Sequence, residues 1–380
     1  MIKILYVLNN ALDRGGTEAV VLNYYYALKD SQELDIEFAL HATVTESENS
    51  TLTQTLIDSG GIVHLITPRR ISLIQERKDL KKLLQKEKYD IVHSHSDAIG
   101  ADVLRIAREC GVKIRIAHCH NTNFTINPDT PRDIIKWLYL NICRFMIRCE
   151  ANYFMACSHR AAEWLFGNRI AEKTYILNNA IDVNKYEFSQ SLRQKVREKL
   201  HLQDKYVIGH VGRLSYQKNH NFLLQIFPEI LSKRPNAIML FIGDGELKSQ
   251  LTQECLDLKI EKSVIFYGGA DNVADLLNAF DIFAFPSYYE GLSVALIEAQ
   301  ANGLHCIAND TDRVSKAADL TGLITWIPIN NSQKWIETLS ADCCQRKLNS
   351  KELITEHGFD LSSEASKLKE YYIQLYNASK

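Results

Sequence analysis

Residues 281–303 read DIFAFPSYYEGLSVALIEAQANG, and their pattern predicts a strand, a loop and a helix. The apolar run 282–285 is typical of a buried strand, which Pro286 ends. Ser293 suits the cap of the following helix, and Gly303 suits the left-handed position after it. In a parallel α/β sheet such a loop lies at the carboxyl edge of the strands, where ligands bind and the helix N-terminus presents backbone amides.

This loop and helix carry groups that fit a sugar nucleotide. Glu290 lies in the loop and Glu298 lies in the second turn of the helix. Between them, the amides of Gly291, Leu292 and Ser293 favour an anion. A carboxylate accepts hydrogen bonds from sugar hydroxyls. The same spacing of two glutamates also fits an ordinary capped surface helix, so both interpretations stay open at this point.

Length and composition limit the class of protein. The 380 residues favour two domains, and contents of 46% hydrophobic and 24% charged residues are typical of a globular protein. A net charge of −2 argues against a nucleic-acid-binding surface. The first residues, MIKILYVLNN, predict a strand and not a signal peptide. Nine cysteines without a Cys-x-x-Cys pair favour the reducing cytoplasm and indicate no zinc or disulfide framework.

Short apolar runs alternate with helical patterns, which predicts parallel sheets with helices on both faces. In the first half the predicted strands are 2–8, 36–40, 62–66, 91–93, 114–118, 153–157 and 174–177. In the second half they are 206–211, 238–242, 264–267, 282–285, 305–308 and 323–327. Residues 181–202 are polar and predict an irregular connection. We therefore predict Rossmann-like domains at 1–184 and 185–362, with a closing helix at 363–380 that crosses back to the first domain.

Three motifs lie at predicted strand ends. The first predicted strand leads into a glycine turn at 13–18, with Gly16 as a point of close backbone approach and Thr17 as the helix cap. In VGRLSYQKN, residues 211–219, Arg213 and Lys218 are suited to neutralise a diphosphate leaving group. Arginine and lysine are common on protein surfaces, so this pair indicates a diphosphate site only together with the loop of Glu290.

Histidines end two predicted strands, in the pairs His93-x-His95 and His118-x-His120. We consider contact with a ligand, structural hydrogen bonding and metal binding, and rank them in that order because the sequence shows no further metal ligand. His120 lies furthest out at the end of its strand and is the candidate for contact with substrate.

Residues 131–148 predict a helix, with Thr130 as its cap and Pro131 as its first residue. The helix combines aromatic and basic side chains. Such a helix fits the surface of an anionic membrane, and it fits equally well a core-facing helix with a solvated basic face.

The ordered set of motifs resembles a family. The motifs are GGTE at 15–18, RIAHCHNT at 115–122, ACSHRAAEWLFG at 156–167, LNNAID at 177–182, VGRLSYQKN at 211–219, FIGDGEL at 241–247 and FPSYYEGLSVALIEAQANG at 285–303. Together they resemble the retaining glycosyltransferases of family 4, which include bacterial capsule and exopolysaccharide enzymes. The resemblance implies a GT-B fold, in which two Rossmann-like domains face each other across a cleft.

The resemblance also implies roles for residues of this chain. Arg213 and Lys218 match the cations on the donor diphosphate, and Glu298 matches the acid that binds the nucleotide ribose. Glu290, with the amides at 291–293, matches the group that faces the donor sugar and phosphate. His120 matches the histidine near the transferred sugar, and Gly16 matches the loop below the phosphates. The segment 310–313 lacks the glycine pair of other members, and we interpret its Asp-x-Asp as a polar loop and not as a metal site.

The expected activity is transfer of a hexose or N-acetylhexosamine from a UDP-sugar to a saccharide acceptor, lipid-linked at the inner membrane face, without a metal or other cofactor. The expected catalytic residues are Glu290, His120, Arg213 and Lys218. We expect a cytoplasmic enzyme with peripheral membrane contact through 131–148 and without a nucleic-acid partner. Two alternatives remain at this point: a sugar-nucleotide epimerase of similar fold, and a catalytically silent partner subunit of a glycosyltransferase complex.

Overall fold

The computed structural model of the protein describes residues 1–12, 16–122, 130–270, 272–342 and 345–380. The chain divides into two compact units. Unit 1 consists of Met1–Asn179 and Leu361–Lys380, and unit 2 consists of Ala180–Asp360. Residues 13–15 of the predicted glycine turn lie outside the described residues.

Unit 1 is built on a parallel sheet of seven strands in the order β3-β2-β1-β4-β5-β6-β7. Its strands are β1 (Ile2–Leu8), β2 (Leu34–His41), β3 (Val63–Ile66), β4 (Ile91–Ser94), β5 (Ile114–Cys119), β6 (Tyr153–Ala156) and β7 (Tyr175–Ile176). The chain runs from β1 outward to β3 and then returns to β4 beside β1. The carboxyl ends of β1 and β4 therefore form a switch point, where α/β proteins bind ligands.

Nine α-helices of the described residues belong to unit 1. They are α1 (Gly16–Leu28), α2 (Val44–Asn49), α3 (Thr51–Asp58), α4 (Leu73–Glu87), α5 (Gly100–Glu109), α6 (Pro131–Glu150), α7 (His159–Phe166), α8 (Asn168–Ala171) and the last helix of the chain, α17 (Leu361–Ala378). α17 packs against α1 and places the fully buried Tyr372 in the core of unit 1.

Unit 2 is built on a parallel sheet of six strands in the order β10-β9-β8-β11-β12-β13. Its strands are β8 (Tyr206–Val211), β9 (Ala237–Ile242), β10 (Val264–Gly268), β11 (Ile282–Phe285), β12 (Cys306–Asn309) and β13 (Ile324–Ile327). Its helices are α9 (Val183–Tyr186), α10 (Gln190–Lys199), α11 (His220–Lys233), α12 (Lys248–Asp257), α13 (Val273–Leu277), α14 (Val294–Ala301), α15 (Ser332–Ser340) and α16 (Ser350–Glu356). The order reverses between β8 and β11, which makes their carboxyl ends a second switch point.

Both sheets confirm the predicted alternation of strands and helices. Strands β9 and β11 are buried along their whole length, as expected of a parallel sheet that is covered on both faces. The predicted strands 206–211 and 282–285 have the observed bounds of β8 and β11. The prediction of irregular structure at 181–202 is wrong, because short polar sequences there form α9 and α10.

Four predictions about helix ends can be compared with the structure. The start of α6 is as predicted, since Pro131 is in its first turn and Oγ1 of Thr130 accepts a hydrogen bond of 3.2 Å from the amide of Asp133. Gly303 follows α14 with the predicted positive φ of 73°. Thr17 is not a cap, because α1 already begins at Gly16. Ser293 occupies the cap position of α14, but its side chain makes no capping hydrogen bond.

Candidate functional site

The switch point of unit 2 joins the loops that follow β8 and β11. Nε2 of Gln217 donates to the carbonyl of Tyr289 at 2.8 Å, and the amide of Tyr288 donates to the carbonyl of Gln217 at 2.9 Å. The rings of Tyr216 and Tyr288 stack with centroids 4.9 Å apart. These contacts hold the motif 211–219 against the loop of Glu290.

Lys218 and Glu290 form an ion pair at this point. Nζ of Lys218 lies 2.6 Å from Oε1 of Glu290, and the side chains are only 16% and 11% exposed. Lys218 also lies over the ring of Phe285, with Nζ 5.1 Å from its centroid. A Cβ on Gly212 would approach Cδ and Cε of Lys218 to 3.2 Å, so this glycine makes room for the lysine. The sequence predicted both charges but not their contact.

Arg213 lies exposed in the loop after β8. The backbone of this loop is fixed, since the amide of Leu214 donates to the carbonyl of Asp244 at 3.0 Å. A Cβ on Gly243 would lie 2.0 Å from the carbonyl oxygen of Gly212, so only glycine permits this packing. Gly243 thus supports the loop of Arg213 and Lys218.

The N-terminus of α14 follows directly after the loop of Glu290. Gly291, Leu292 and Ser293 lead into it, as predicted. Because the side chain of Ser293 does not cap the helix, the amides of the first turn depend on water or a ligand for their hydrogen bonds. A helix N-terminus with such amides attracts an anion.

Glu298 lies on α14, and Oε1 of its carboxyl group accepts a hydrogen bond of 2.6 Å from the hydroxyl of Tyr186 on α9. Burial raises the pKa of Glu298 to about 7, although the hydrogen bond from Tyr186 and the nearby charge of Lys185 act in the opposite direction. The sequence missed Tyr186, because it lies in the segment that was predicted to be irregular.

The switch point of unit 1 carries the four histidines. The rings of His93 and His95 stack with centroids 4.1 Å apart, and those of His118 and His120 stack at the same distance. Nε2 of His93 lies 3.1 Å from Nδ1 of His118, and Nδ1 of His95 lies 3.0 Å from Nε2 of His120. The four side chains therefore form one cluster, which we call the histidine cluster.

His120 is at the outer end of the cluster and is 8% exposed. Its amide donates to Oδ1 of Asp97 at 2.8 Å, and Asp97 has an unusual positive φ of 44°. Burial lowers the pKa of His120 to about 4, although the charge of Asp97 acts to raise it. His120 is therefore neutral at pH 7. Asp97 is one of the polar residues that follow the predicted strand 91–93, but nothing in the sequence signals its backbone conformation or its contact with His120.

The histidine cluster also contains a candidate metal site. One ligand atom each from His93, His95 and His118 lies within 4.8 Å of the others. Nitrogen ligands bind zinc at about 2.0–2.1 Å, with their lone pairs directed at the ion. Because His93 and His95 stack with only 28° between their planes, their lone pairs lie in nearly parallel planes, and binding by both requires rotation of a ring.

Two further features lie near the carboxyl edge of unit 1. Gly16 is the first residue of α1, and a Cβ on it would meet no atom of the described residues within 4 Å. A cavity of about 400 Å³ is lined by residues that include Asn10, His41, Asn49 and Arg70. His41 is 3% exposed, and its Nε2 has no hydrogen-bonding partner in the described part of the chain.

Apolar side chains are exposed on α6, on the residue Ile71 before α4 and on the first turn of α4. They are Ile134, Ile135, Trp137, Leu138, Ile142, Phe145, Ile71, Leu73 and Ile74. Nη1 of Arg69 donates to the hydroxyl of Tyr139 at 2.6 Å, so the two segments lie side by side. We call these exposed side chains the apolar platform. Within the described residues, each helix is too short or too polar to cross a bilayer.

Comparison with known proteins identifies the family. Residues 8–185 match the model described as Glycosyltransferase Family 4, and residues 193–340 match the model described as Glycosyl transferases group 1. The chain is 27% identical to a putative glycosyltransferase, EpsF, of Bacillus subtilis over 99% of this chain and 97% of that protein. It is also 27% identical to the UDP-Gal:alpha-D-GlcNAc-diphosphoundecaprenol alpha-1,3-galactosyltransferase of Escherichia coli, over 86% of this chain and 87% of that protein.

Among solved structures, the fold is similar to that of Anabaena Alr3699/HepE, which was determined in complex with UDP. The TM-score is 0.78 at 18% identity, over 98% of this chain and 100% of that one. The two family matches adjoin each other and divide the chain in the same way as its two parallel sheets. The chain therefore belongs to the GT-B glycosyltransferases that join a Glycosyltransferase Family 4 half to a Glycosyl transferases group 1 half.

Proposed function

We propose that the protein is a retaining glycosyltransferase that moves a hexose or N-acetylhexosamine from a UDP-sugar to a saccharide acceptor in cell-surface polysaccharide synthesis. The observation that carries the proposal is the Lys218–Glu290 pair beside the start of α14. It combines a cation, an acid and the amides of a helix end that the side chain of Ser293 leaves uncapped, at the switch point of unit 2. UDP in the complex of the Anabaena protein supports the choice of nucleotide.

The charge changes of the reaction explain these groups. When the bond between the anomeric carbon and the leaving oxygen breaks, positive charge grows on the sugar and negative charge grows on the diphosphate. Lys218, Arg213 and the amides of α14 stabilise the diphosphate more as its charge increases, which lowers the barrier. Because these groups already supply positive charge, the proposed reaction needs no metal. We assign the ribose to Glu298 and the donor sugar to Glu290 and His120.

Retention follows from attack on the face that the diphosphate leaves. The acceptor hydroxyl oxygen bonds to the anomeric carbon, the bond to the diphosphate oxygen breaks, and that oxygen takes the hydroxyl proton. In this route no side chain becomes covalently attached to the sugar. Glu290 then stabilises the positive charge of the donor sugar and orients it. Trapping of a glycosyl ester on Glu290 would instead favour a double displacement.

We assign the acceptor to the cavity of unit 1. Its lining includes amide side chains, which suit sugar hydroxyls, and the guanidinium group of Arg70, which suits a phosphate. Arg70 is held by an ion pair with Glu46, whose carboxylate also accepts from the amide of Thr43 at 2.9 Å. The name of the Escherichia coli relative gives its acceptor as a saccharide diphosphate of undecaprenol. A lipid-linked saccharide of this class fits the cavity lining.

The apolar platform supports peripheral attachment to the cytoplasmic face of a membrane. Ile135 and Phe145 on α6 are 69% and 68% exposed, and Ile74 at the start of α4 is 69% exposed. Side chains of this kind insert into the boundary between headgroups and acyl chains. Arg132 and Lys136 on the same helix add attraction to anionic lipids. Attachment there would hold the enzyme at the membrane in which a lipid-linked acceptor lies.

Calorimetric titration with a panel of UDP-, GDP- and ADP-sugars, with magnesium or with EDTA, tests the donor assignment. We expect binding of a UDP-sugar that EDTA leaves intact and that Lys218→Ala weakens at least tenfold. Lys334→Ala, on the exposed face of α15, is the control. Binding of no sugar nucleotide would contradict the donor assignment.

Product analysis by NMR then separates three activities. Release of free sugar with retained anomeric configuration, or transfer to an added saccharide, supports the transferase. An epimerised sugar nucleotide would show an epimerase. Binding without turnover in the presence of a panel of short-chain lipid diphosphate saccharides would favour a silent subunit.

A further inference from the structure

The histidine cluster is more elaborate than one substrate-contacting histidine requires. His93 and His118 lie in β4 and β5, His95 and His120 follow directly after these strands, and the four rings stack in two pairs. They are 0%, 7%, 1% and 8% exposed. Buried polar side chains need hydrogen-bonding partners. The proposed reaction uses only His120, so the other three buried histidines need an explanation.

One hydrogen-bonded chain begins at α17. The hydroxyl of Tyr372 lies 2.9 Å from the hydroxyl of Tyr6 and 2.7 Å from Nδ1 of His93. Nε2 of His93 lies 3.1 Å from Nδ1 of His118, whose ring stacks on that of His120. This chain fixes the plane of the His118 ring, and the stacked ring of His120 is held on that side.

A second, shorter chain joins His95 to His120 through Nδ1 and Nε2, which lie 3.0 Å apart. Both rings are buried, at 7% and 8% exposure, which disfavours the charged imidazolium form. A neutral imidazole has one N–H group and one bare nitrogen. Only two arrangements of protons satisfy the contact: either His95 donates from Nδ1, or His120 donates from Nε2.

The environment of the other ring nitrogen of His95, Nε2, favours the first arrangement. Its Nε2 is buried and has no partner among the residues that the structure describes. If His120 donated, His95 would carry its proton on this Nε2, which would bury an unpaired N–H group. Buried N–H groups without a partner are rarer than unpaired acceptors. His95 therefore holds its proton on Nδ1, and Nε2 of His120 accepts it.

We propose that His95 is a positioning residue that keeps His120 in the tautomer with its proton on Nδ1. The ring of His120 then offers a donor N–H, and not a lone pair, to an oxygen of the transferred sugar. The contact of the His120 amide with Asp97 fixes the backbone of His120, and the stacked ring of His118 restrains its side chain. The catalytic part of this inference rests on the proposed function of His120, whereas the tautomer itself does not.

The tautomer is measured by nitrogen NMR on the full chain labelled with ¹⁵N at histidine only. Ring nitrogen shifts separate a protonated nitrogen from a bare one, and His120→Ala assigns the signals. We expect wild-type His120 to carry its proton on Nδ1 at pH 7. A proton on Nε2 would overturn the proposal whether or not the His95 variants fold. So would one tightly bound transition-metal ion per chain in the purified protein, found by elemental analysis, because the cluster would then be a metal site.

Two substitutions of His95 form a matched pair. The side-chain amide of asparagine reaches the place of Nδ1, so His95→Asn keeps a donor for His120, whereas His95→Leu removes it. We expect His95→Asn to preserve the tautomer of His120 and His95→Leu to give a mixture. An unchanged single tautomer in a folded His95→Leu protein would contradict the role of His95.

Kinetics of donor hydrolysis then test the link to catalysis. We expect His95→Leu to lower kcat at least tenfold with little change in KM, and His95→Asn to stay within about threefold of wild type. His305→Asn in unit 2, a histidine whose Nε2 lies 2.8 Å from Oγ1 of Thr325, is the control. An unchanged kcat in His95→Leu would overturn the positioning role. If the wild type binds no sugar nucleotide, the proposed function fails while the NMR result stands.

Discussion

Tyr186 donates a hydrogen bond of 2.6 Å to Oε1 of Glu298, so one oxygen of the predicted ribose-binding carboxylate is already occupied. In the proposed function, the other oxygen, Oε2, accepts from the ribose hydroxyls. The contact also restrains the carboxyl group, because α9 holds Tyr186 against α14. Tyr186 thus orients an acid that the sequence identified without its partner.

The affinity for UDP should depend on the ionisation of Glu298. Burial raises its pKa from the ordinary value to about 7, so the folded protein binds this proton more tightly than the unfolded chain does. The contribution of this group to stability is therefore present at low pH and is lost as the pH rises toward about 7. UDP binding should follow the opposite trend, because ribose hydroxyls donate to the carboxylate. We expect about a tenfold gain in affinity between pH 6 and pH 8, measured by calorimetry.

Glu298→Gln is the control for this pH dependence. It removes the titrating group, so any remaining change with pH comes from UDP itself or from other residues. We expect the variant to bind UDP about tenfold more weakly at pH 8, which is the usual cost of a lost hydrogen bond to a charged group. A pH profile that is the same in both proteins would contradict the assignment of Glu298.

Replacement of Glu290 should separate binding from turnover. In Glu290→Gln the ammonium group of Lys218 loses its anionic partner at 2.6 Å, so more of its charge acts on a diphosphate. We expect UDP to bind up to about tenfold more tightly, or about 1.4 kcal/mol, while donor hydrolysis falls at least a hundredfold. Glu229→Gln breaks an exposed pair with Lys233 in the same unit and serves as the control. Weaker binding in Glu290→Gln would show that the pair itself builds the phosphate site.

Membrane attachment should depend on the apolar platform. We expect Ile135→Ser/Phe145→Ser to bind vesicles of phosphatidylglycerol and phosphatidylcholine at least tenfold more weakly in flotation assays, since each inserted side chain contributes about 1.5–3 kcal/mol. Leu348→Ser changes a side chain of unit 2 that is 81% exposed, and it should leave binding intact. Equal binding of the double variant and wild type would mean that another surface meets the lipid.

The stability of unit 2 should depend on Asp281. Its Oδ2 lies 3.2 Å from Nη1 of Arg197 and accepts a 2.7 Å bond from the amide of Val207, while Oδ1 pairs with Arg193. Asp281→Asn would leave two partly buried guanidinium groups without their counter-charge. We expect a loss of about 3–5 kcal/mol, seen by hydrogen exchange of unit 2 amides in urea.

The exposed Asp257 provides the comparison for Asp281. Asp257→Asn should change the free energy of unfolding by less than about 0.5 kcal/mol. A similar loss in both variants would show that the ion pairs of Asp281 contribute nothing specific.

Much of the fold could be predicted because it follows from local pattern. The run 282–285 is apolar without interruption, and 206–211 is interrupted only by Gly209 and His210, which is typical of strands buried on both faces of a parallel sheet. The helix of 131–148 could be placed because its cap residues are local as well. The ligand-binding loops could then be predicted, because α/β proteins bind ligands where the strand order reverses.

The contacts inside the site could not be predicted in the same way. Lys218 and Glu290 are brought together by two loops that follow different strands, and their distance depends on the pairing of β8 with β11. His95 meets His120 only because β4 and β5 pair in the register that sets His93 opposite Ile116. A single sequence contains neither the pairing nor the register. The failed cap of Ser293 is different, because the residue type was suitable and the observed side chain does not use it.

The placement of α17 in unit 1 has a consequence for synthesis on the ribosome. Domains generally fold as units while the chain emerges, with the N-terminal one first. Here the first 179 residues must wait for the whole of unit 2 before Tyr372 can reach Tyr6 and His93. A nascent chain that stops short of α17 therefore lacks part of the buried hydrogen-bonded chain that holds the histidine cluster. The buried hydrogen-bonded chain of unit 1 can therefore form only after α17 has been synthesised.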